Sequence, residues 1–182
     1  MATTSIFSRK KDLVYLVFFL IHLPVMLAFD LTGYYPTAIK PAWMDAVKTW
    51  YYHTYGDRFF VAPPPWFPLY TLLEAFYHLP LTLWAIPALL RNDPRLPLQL
   101  LVFGLQTTFT TMTCLAEMYS WEDTDGGSGV KWVKVDKGVG GLGGMYGGYL
   151  CLGVFMAVDC YARLDQMVAR TKGLQPITKK EL

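Results

Sequence analysis

Four long apolar stretches, separated by shorter polar segments, dominate the hydrophobic pattern of this chain. They cover residues 13–33, 66–90, 96–121 and 138–161. Each is long enough to cross the hydrocarbon core of a bilayer, which takes about 20 residues in a helix. None alternates between apolar and polar residues, as the strands of a membrane barrel do. The pattern predicts an all-α, polytopic membrane protein with a four-helix transmembrane bundle, forming a single domain that ends in a tail over residues 162–182.

The longest connection, residues 34–65, is rich in tryptophan and tyrosine, which favour the membrane–water interface. After Pro41 its larger apolar residues recur at helical spacing, at Met44, Val47, Trp50 and Tyr51. We therefore expect a short amphipathic helix lying over the lumenal mouth of the bundle.

The distribution of basic residues predicts the orientation in the membrane. The two terminal segments and the connection between the second and third spans hold ten Lys and Arg residues, and the other two connections hold six. Because basic residues accumulate on the cytoplasmic side, both termini are predicted to be cytoplasmic. Lys179 and Lys180 then occupy the third and fourth places from a cytoplasmic end, as in a dilysine signal for retrieval to the endoplasmic reticulum. The alternative is a solvated basic tail.

The composition excludes several classes of protein. Charged residues make up 16 % of the chain and apolar residues 53 %, whereas a soluble domain has about 25 % charged residues. The net charge of +2 and the lack of a basic run argue against binding to nucleic acid. Three cysteines in apolar stretches indicate neither a disulfide framework nor a zinc site. We expect no metal and no cofactor.

Glycines repeat every four residues at the start of the fourth span, at Gly140, Gly144 and Gly148 and again at Gly143 and Gly147. Such spacing lets a second helix approach closely. Tight packing inside the bundle is the favoured interpretation, and a seam between two copies of the chain is the other.

Two carboxyl groups lie within the apolar spans, and ionisable groups at that depth are costly and usually functional. Asp30 ends the first span, and Glu74 lies roughly 12 Å into the second from the same side. Since no Lys or Arg lies deep in any span, the two carboxyls are expected to share one cavity and one proton. The pair then suits a ligand's monocation or proton transfer, unless it serves packing alone. His78 lies one turn from Glu74, and His22 lies two turns before Asp30.

Two further acids, Glu117 and Asp159, lie within about one turn of a span end. Glu117 can extend its carboxylate to the interface, and we interpret it as structural. Asp159 is expected to pair with Arg163 at i+4.

The order of these residues resembles the sigma-2 receptor family, whose EXPERA domain is shared with the emopamil-binding sterol isomerases. The resemblance covers residues 14–161 and is carried by His22-Leu23-Pro24, Asp30-Leu31, Trp50-Tyr51, Asp57, Pro64-Pro65-Trp66-Phe67, Glu74, Leu79-Pro80, Thr110-Thr111, Glu122-Asp123 and the Tyr146/Tyr149 pair.

The resemblance implies a homodimeric membrane protein of the endoplasmic reticulum, with an intramembrane pocket for sterols and cationic amphiphiles. It implies that Asp30 contacts the ligand's cation, that Glu74 hydrogen-bonds Asp30, and that Asp57, like His22, is a structural polar residue. It also implies that the pocket is lined by Phe29, Tyr51, His78, Thr111, Tyr146 and Tyr149. His78 stands where the family is expected to have glutamine, and Gly147-Gly148 replace a bulkier pair.

Two functions follow from the resemblance: a non-enzymatic binding protein in sterol homeostasis or lipid handling, and a sterol Δ8-Δ7 isomerase. The isomerases use a histidine and several glutamates, with a fifth helix. This chain has four spans, and Glu74 precedes His78, which is the opposite order. We therefore favour the binding protein and assign no catalytic residue. A purely structural scaffold would leave the paired acids unexplained.

The dilysine interpretation predicts that the double variant Lys179→Ser with Lys180→Ser leaves the endoplasmic reticulum, because the retrieval receptor no longer binds the tail. Microscopy of a tagged, full-length chain measures this. Retention of the double variant in the reticulum would show that the tail is only a solvated basic end.

Overall fold

The computed structural model describes residues 5–122 and 132–173, and within them the regular structure is helical. Its principal helices are α1 (Lys10–Ala28), α2 (Ala42–Tyr55), α3 (Phe67–Leu73), α4 (Leu79–Arg91), α5 (Leu96–Ser120) and α6 (Leu142–Lys172). Single turns of 3-10 helix follow α1 at Asp30–Tyr34 and α2 at Arg58–Phe60, and a π-helical turn, Glu74–His78, joins α3 to α4.

Four helical segments in the described part of the chain are long and apolar enough to cross a membrane. They are Lys10–Tyr34, Phe67–Arg91, Leu96–Ser120 and Leu142–Lys172. The predicted all-α membrane bundle is thus confirmed, and α2 is the expected short helix between the first two spans. The fourth span, α6, begins at Leu142, after a turn, and continues past residue 161 to Lys172. Lys179 and Lys180 lie outside the described residues.

The first two spans lose regular α-helical geometry where their acids lie. The backbone at Phe29 ends α1, and Asp30 begins the 3-10 turn. In the second span the Leu79 N–H donates to the Glu74 carbonyl five residues back, which is the π-helical bond. Pro80 follows directly and has no N–H to continue the ladder. Asp30 and Glu74 thus lie at irregular turns, which are frequent at functional sites.

One end of the bundle has a solid apolar core. The N-terminal half of α1, α4, the start of α5 and the middle of α6 meet there. The fully or almost fully buried side chains of this core are Tyr15, Leu16, Phe19, Leu81, Ala85, Ala88, Leu89, Leu96, Leu100, Phe103, Met156 and Cys160.

Buried carboxylates close this solid end. Asp12 on α1 pairs with Arg9 and with Arg163 of α6, each at 2.6 Å. Asp159 pairs with Arg163 at 2.8 Å, which confirms the predicted i+4 pair. Asp159 also accepts hydrogen bonds from Lys11 and Tyr15 of α1. Because every acid in this cluster has a cationic partner, the cluster fixes α1 against α6.

Asp12→Ala removes the carboxylate between two guanidinium groups, and we expect the free energy of unfolding to fall by about 2 kcal/mol. Thermal unfolding in a mild detergent measures this loss. Asp45→Ala is the matched control, since Asp45 is exposed and pairs only with Lys40 at 2.8 Å. An exposed pair contributes under about 1 kcal/mol. Equal losses in the two variants would contradict the role assigned to Asp12.

The other end of the bundle is covered by α2, which has no fully buried residue. The helix ends at Gly56, whose φ of +70° is left-handed and favours glycine. A Cβ at this position would lie 2.6 Å from the carbonyl oxygen of Lys134. The Asp136 N–H donates to the carbonyl of Tyr55, so the segment before α6 holds the end of α2 in place.

The closest approach between helices uses glycines other than the repeat in the fourth span. A Cβ at Gly104 of α5 would lie 2.8 Å from the Gly153 carbonyl and the Ala157 nitrogen of α6. In contrast, a Cβ at Gly147 or Gly148 would meet no atom of the described residues within 4 Å. The favoured interpretation, that the repeat packs inside the bundle, is therefore wrong for these two positions. The spacing of glycines along the sequence shows that another helix can pack closely against this face. It does not show which helix does so.

Asp57, directly after Gly56, is a buried hydrogen-bond acceptor that joins three elements. It accepts from the Phe59 N–H at 3.0 Å, the Tyr51 hydroxyl of α2 at 3.2 Å and the Tyr146 hydroxyl of α6 at 3.1 Å. Burial raises the pKa of Asp57 to about 6, against the opposite effect of these three hydrogen bonds. This geometry supports the structural role expected for Asp57.

The raised pKa of Asp57 predicts a pH-dependent stability. Above pH 6 the buried Asp57 is ionised, and burying this charge lowers the free energy of unfolding by its full amount. This destabilisation disappears as the pH falls from about 6 toward the ordinary pKa of 3.8. Relative to Asp57→Asn, the wild type should therefore gain up to about 3 kcal/mol between pH 7 and pH 4. Thermal unfolding of both proteins across this range measures the gain. A constant difference between the two melting curves would contradict it.

Candidate functional site

A cavity of about 670 Å³ occupies the end of the bundle beneath α2. Residues of α1, α2, the second span, α5 and α6 line it, and most of its surface is apolar. Its volume lies within the range of small-molecule sites, about 300–1,000 Å³. The bundle is therefore solid at one end and hollow at the other.

Asp30 and Glu74 both line this cavity. The irregular turns at the two residues bring their side chains to it from neighbouring spans, and each remains partly accessible from the cavity. Glu74 Oε2 has no hydrogen-bond partner among the described residues. The structure thus places the two acids around one space, and the hydrogen bond between them stays a prediction.

The other residues expected at the pocket line the same cavity. Phe29, Tyr51, His78, Thr111, Tyr146 and Tyr149 all line the cavity. Their contact with a ligand stays a prediction, because their positions alone do not test it. His22, expected to be a structural polar residue, also lines the cavity. Asp57 lies behind the wall, where it holds the hydroxyls of Tyr51 and Tyr146.

A polar group lies deeper in the cavity, around the two histidines. The rings of His22 and His78 are 5.9 Å apart between centroids, and both contact Phe103. Tyr149 Oη lies 3.4 Å from His22 Nδ1. His22 Nε2 and both ring nitrogens of His78 are buried without a hydrogen bond of good geometry among the described residues, and the side chain of Gln106 lies close to His78. Buried polar atoms are normally satisfied, so these are available to a bound molecule or water.

Gln106 of α5 also lines the cavity, and sequence analysis did not identify it. Its Nε2 is another buried atom with no hydrogen-bond partner in the described structure. The signal was present in the sequence, since Gln106 is an amide inside a span and lies one helical turn before Thr110, which lines the same cavity.

Lys48 of α2 was missed for a different reason. The expectation that the acids have no basic neighbour considered the spans alone. The structure brings Lys48 to the mouth of the cavity from outside them. Its Nζ lies 5.5 Å from the ring centroid of Phe29 and 5.1 Å from that of Phe60. Burial lowers the pKa of Lys48, and the charge of Asp30 opposes this effect.

The arrangement suits the binding of an amphiphile. It offers an apolar space, a pair of carboxyls at one level and neutral hydrogen-bonding groups at another. Among the described residues, no three His, Cys, Asp or Glu side chains are grouped so that they could hold a metal ion.

Comparisons with known proteins identify the family of this chain. The model of the EXPERA family (EXPanded EBP superfamily) matches residues 43–160. The chain is 25 % identical over 155 residues to Efficient mitochondria targeting-associated protein 19 of Schizosaccharomyces pombe, covering 84 % of this chain and 76 % of that protein.

Two further relatives are Sigma intracellular receptor 2 proteins. The human protein is 26 % identical over 116 residues, covering 63 % of this chain and 65 % of its own length. The Xenopus tropicalis protein is 28 % identical over 76 residues, covering 42 % and 44 %. The chain thus spans less than two thirds of either receptor. Because the family model matches well over half of the chain, across α2 and the three later spans, the chain belongs to the EXPERA family.

Proposed function

We propose that this protein is an intramembrane receptor, or binding protein, for sterols and cationic amphiphiles, acting in sterol homeostasis or lipid handling. The observation that carries the proposal is the pairing of Asp30 and Glu74 on the wall of an apolar cavity of about 670 Å³. In a low-dielectric space two neighbouring carboxyls do not both ionise easily. The pair then holds about one negative charge, which matches one protonated amine on an apolar ligand.

The deeper polar group supports the sterol part of this proposal. A neutral imidazole has one donor and one acceptor nitrogen, and a glutamine amide offers both functions. A hydroxyl group also donates and accepts, so the unpartnered atoms of His22, His78 and Gln106 are complementary to a sterol hydroxyl. An apolar body with one hydroxyl fits a cavity whose remaining wall is mostly apolar.

Location and assembly are part of the same proposal. We place the protein in the endoplasmic reticulum membrane, with the start of the first span and the end of the fourth span in the cytoplasm, on the basis of the resemblance and of the basic residues that flank the spans. The word intracellular in the names of two relatives is consistent with this location. A homodimer is the expected assembly, and Gly147 and Gly148 are open for a second copy of the chain.

A sterol isomerase is the second candidate, and the grouping of acids and histidines around one cavity favours it. Isomerisation moves a double bond through a cationic intermediate, which requires one group to donate a proton and another to remove one. Asp30, Glu74, His22 and His78 are groups of this kind on the wall. Incubation of the purified protein with a Δ8 sterol tests this function. Formation of the Δ7 product would replace binding alone as the conclusion.

Mass spectrometry of lipids that copurify in mild detergent tests the proposal directly. We expect a sterol or a hydrophobic amine to be enriched over bulk membrane lipid. The comparison variant is Tyr149→Ala with His78→Ala, which removes two cavity-lining side chains while leaving Asp30 intact and should reduce the enrichment. The absence of any enriched small molecule in the wild type would contradict the proposal.

Asp30→Asn should weaken binding of a hydrophobic amine more than tenfold, or more than 1.4 kcal/mol, because the substitution removes the carboxylate expected to contact the ammonium directly. Equilibrium binding to the full-length chain in detergent measures the affinity. Asp45→Asn is the control, since Asp45 is exposed on α2 and lines no part of the cavity. Unchanged amine affinity in folded Asp30→Asn would remove Asp30 as the cation's contact.

A further inference from the structure

The mouth of the cavity carries a cation that belongs to the protein itself. Lys48 lies on α2, one residue after the cavity-lining Val47, and its side chain is partly buried. Its ammonium lies 5.5 Å from the ring centroid of Phe29 and 5.1 Å from that of Phe60. Both rings line the cavity. An ammonium over two aromatic faces is attracted by both rings, more strongly as water is excluded.

Lys48 is also attracted by the carboxyl group of Asp30. Phe29 directly precedes Asp30, so the ring that holds the ammonium belongs to the residue before the carboxyl. The attraction of Asp30 is the largest effect that keeps Lys48 charged, against the cost of burial. The site therefore has a carboxyl and an ammonium of its own that attract each other.

This internal cation is held loosely. Among the ion pairs of the described residues, Lys48 forms none, whereas the neighbouring Lys40 pairs with Asp45 at 2.8 Å. Aromatic faces and a longer-range attraction hold Lys48 instead. A flexible lysine in such a position can move toward water without breaking a contact ion pair. It can therefore yield to a ligand, at a cost that depends on the charge of that ligand.

We propose that Lys48 is a specificity-determining residue: its tethered ammonium competes with cationic ligands for Asp30 and biases the site toward neutral, hydroxylated lipids of the sterol class. The inference rests on the proposed function and names the ligand class that the site prefers. A ligand's ammonium that reaches Asp30 is repelled by Lys48 and also removes its counter-charge. A neutral alcohol leaves the attraction between Lys48 and Asp30 in place. Lys48 therefore lowers the affinity of cationic ligands and leaves that of neutral ligands unchanged.

Two ligands with one skeleton separate the effects of charge and shape. The probes are 3β-aminocholestane, which is protonated at pH 7, and cholestanol, which carries a hydroxyl at the same position. Affinities are measured for the full-length chain in lipid nanodiscs. Lys48→Met keeps the length of the side chain and removes its charge. We expect it to raise the affinity for the amine about tenfold and to change that for the alcohol less than about twofold.

Three further variants complete the test. Lys40→Met removes a charge from the same connection, where it is paired with Asp45, and should leave both affinities within about twofold of wild type. Lys48→Arg keeps the charge and should keep the wild-type preference. Adding Asp30→Asn to Lys48→Met should abolish the gain in amine affinity, since the carboxylate for which the two cations compete is then absent.

Unchanged or lower amine affinity in Lys48→Met would overturn the inference, and so would an equal gain for amine and alcohol. The outcome for the proposed function is read separately. If Asp30→Asn weakens the amine and Lys48→Met has no effect, the inference fails and the proposed function stands. If neither probe binds the wild type, both fail.

Discussion

A carboxyl group that leaves water must find a partner or give up its charge, and the two ends of this bundle meet that requirement in opposite ways. At the solid end, Asp12 and Asp159 are paired with Arg9, Lys11 and Arg163. At the hollow end, Glu74 keeps a buried oxygen that accepts no hydrogen bond from any described residue. The first arrangement uses its acids to join helices. The second leaves an acid available to a molecule from outside.

The irregular turns in the first two spans follow the same division. Regular helix continues through the solid end, where buried apolar side chains fill the space between the spans. The 3-10 turn at Asp30 and the π turn at Glu74 occur at the level of the cavity. Glu74 and His78, the first and last residues of the π turn, both line the cavity. The irregular backbone of these two turns would weaken a packed core, but here it lies beside the cavity.

The sequence predicted the spans and the two acids well, because long apolar runs and charges within them are local signals. It could not predict how distant segments meet. Lys48 lies outside every span, and only the fold of the connection places it over Phe29 and Phe60. The glycine repeat failed in a similar way, since spacing shows that a helix can approach but not which one. The close approach instead uses Gly104, a lone glycine without a repeat.

Helix α2 covers the cavity through contacts that differ from those that hold the four spans together. Helix α2 has no fully buried residue, so apolar burial holds it weakly. Its firm attachments are at its C-terminal end, where Gly56 fits against Lys134 and Asp57 accepts a hydrogen bond from Tyr146. The half of α2 that carries Lys48 is held by aromatic contacts with Phe29 and Phe60. The contacts that cover the cavity are thus separate from the ion pairs that join α1 to α6 at the solid end.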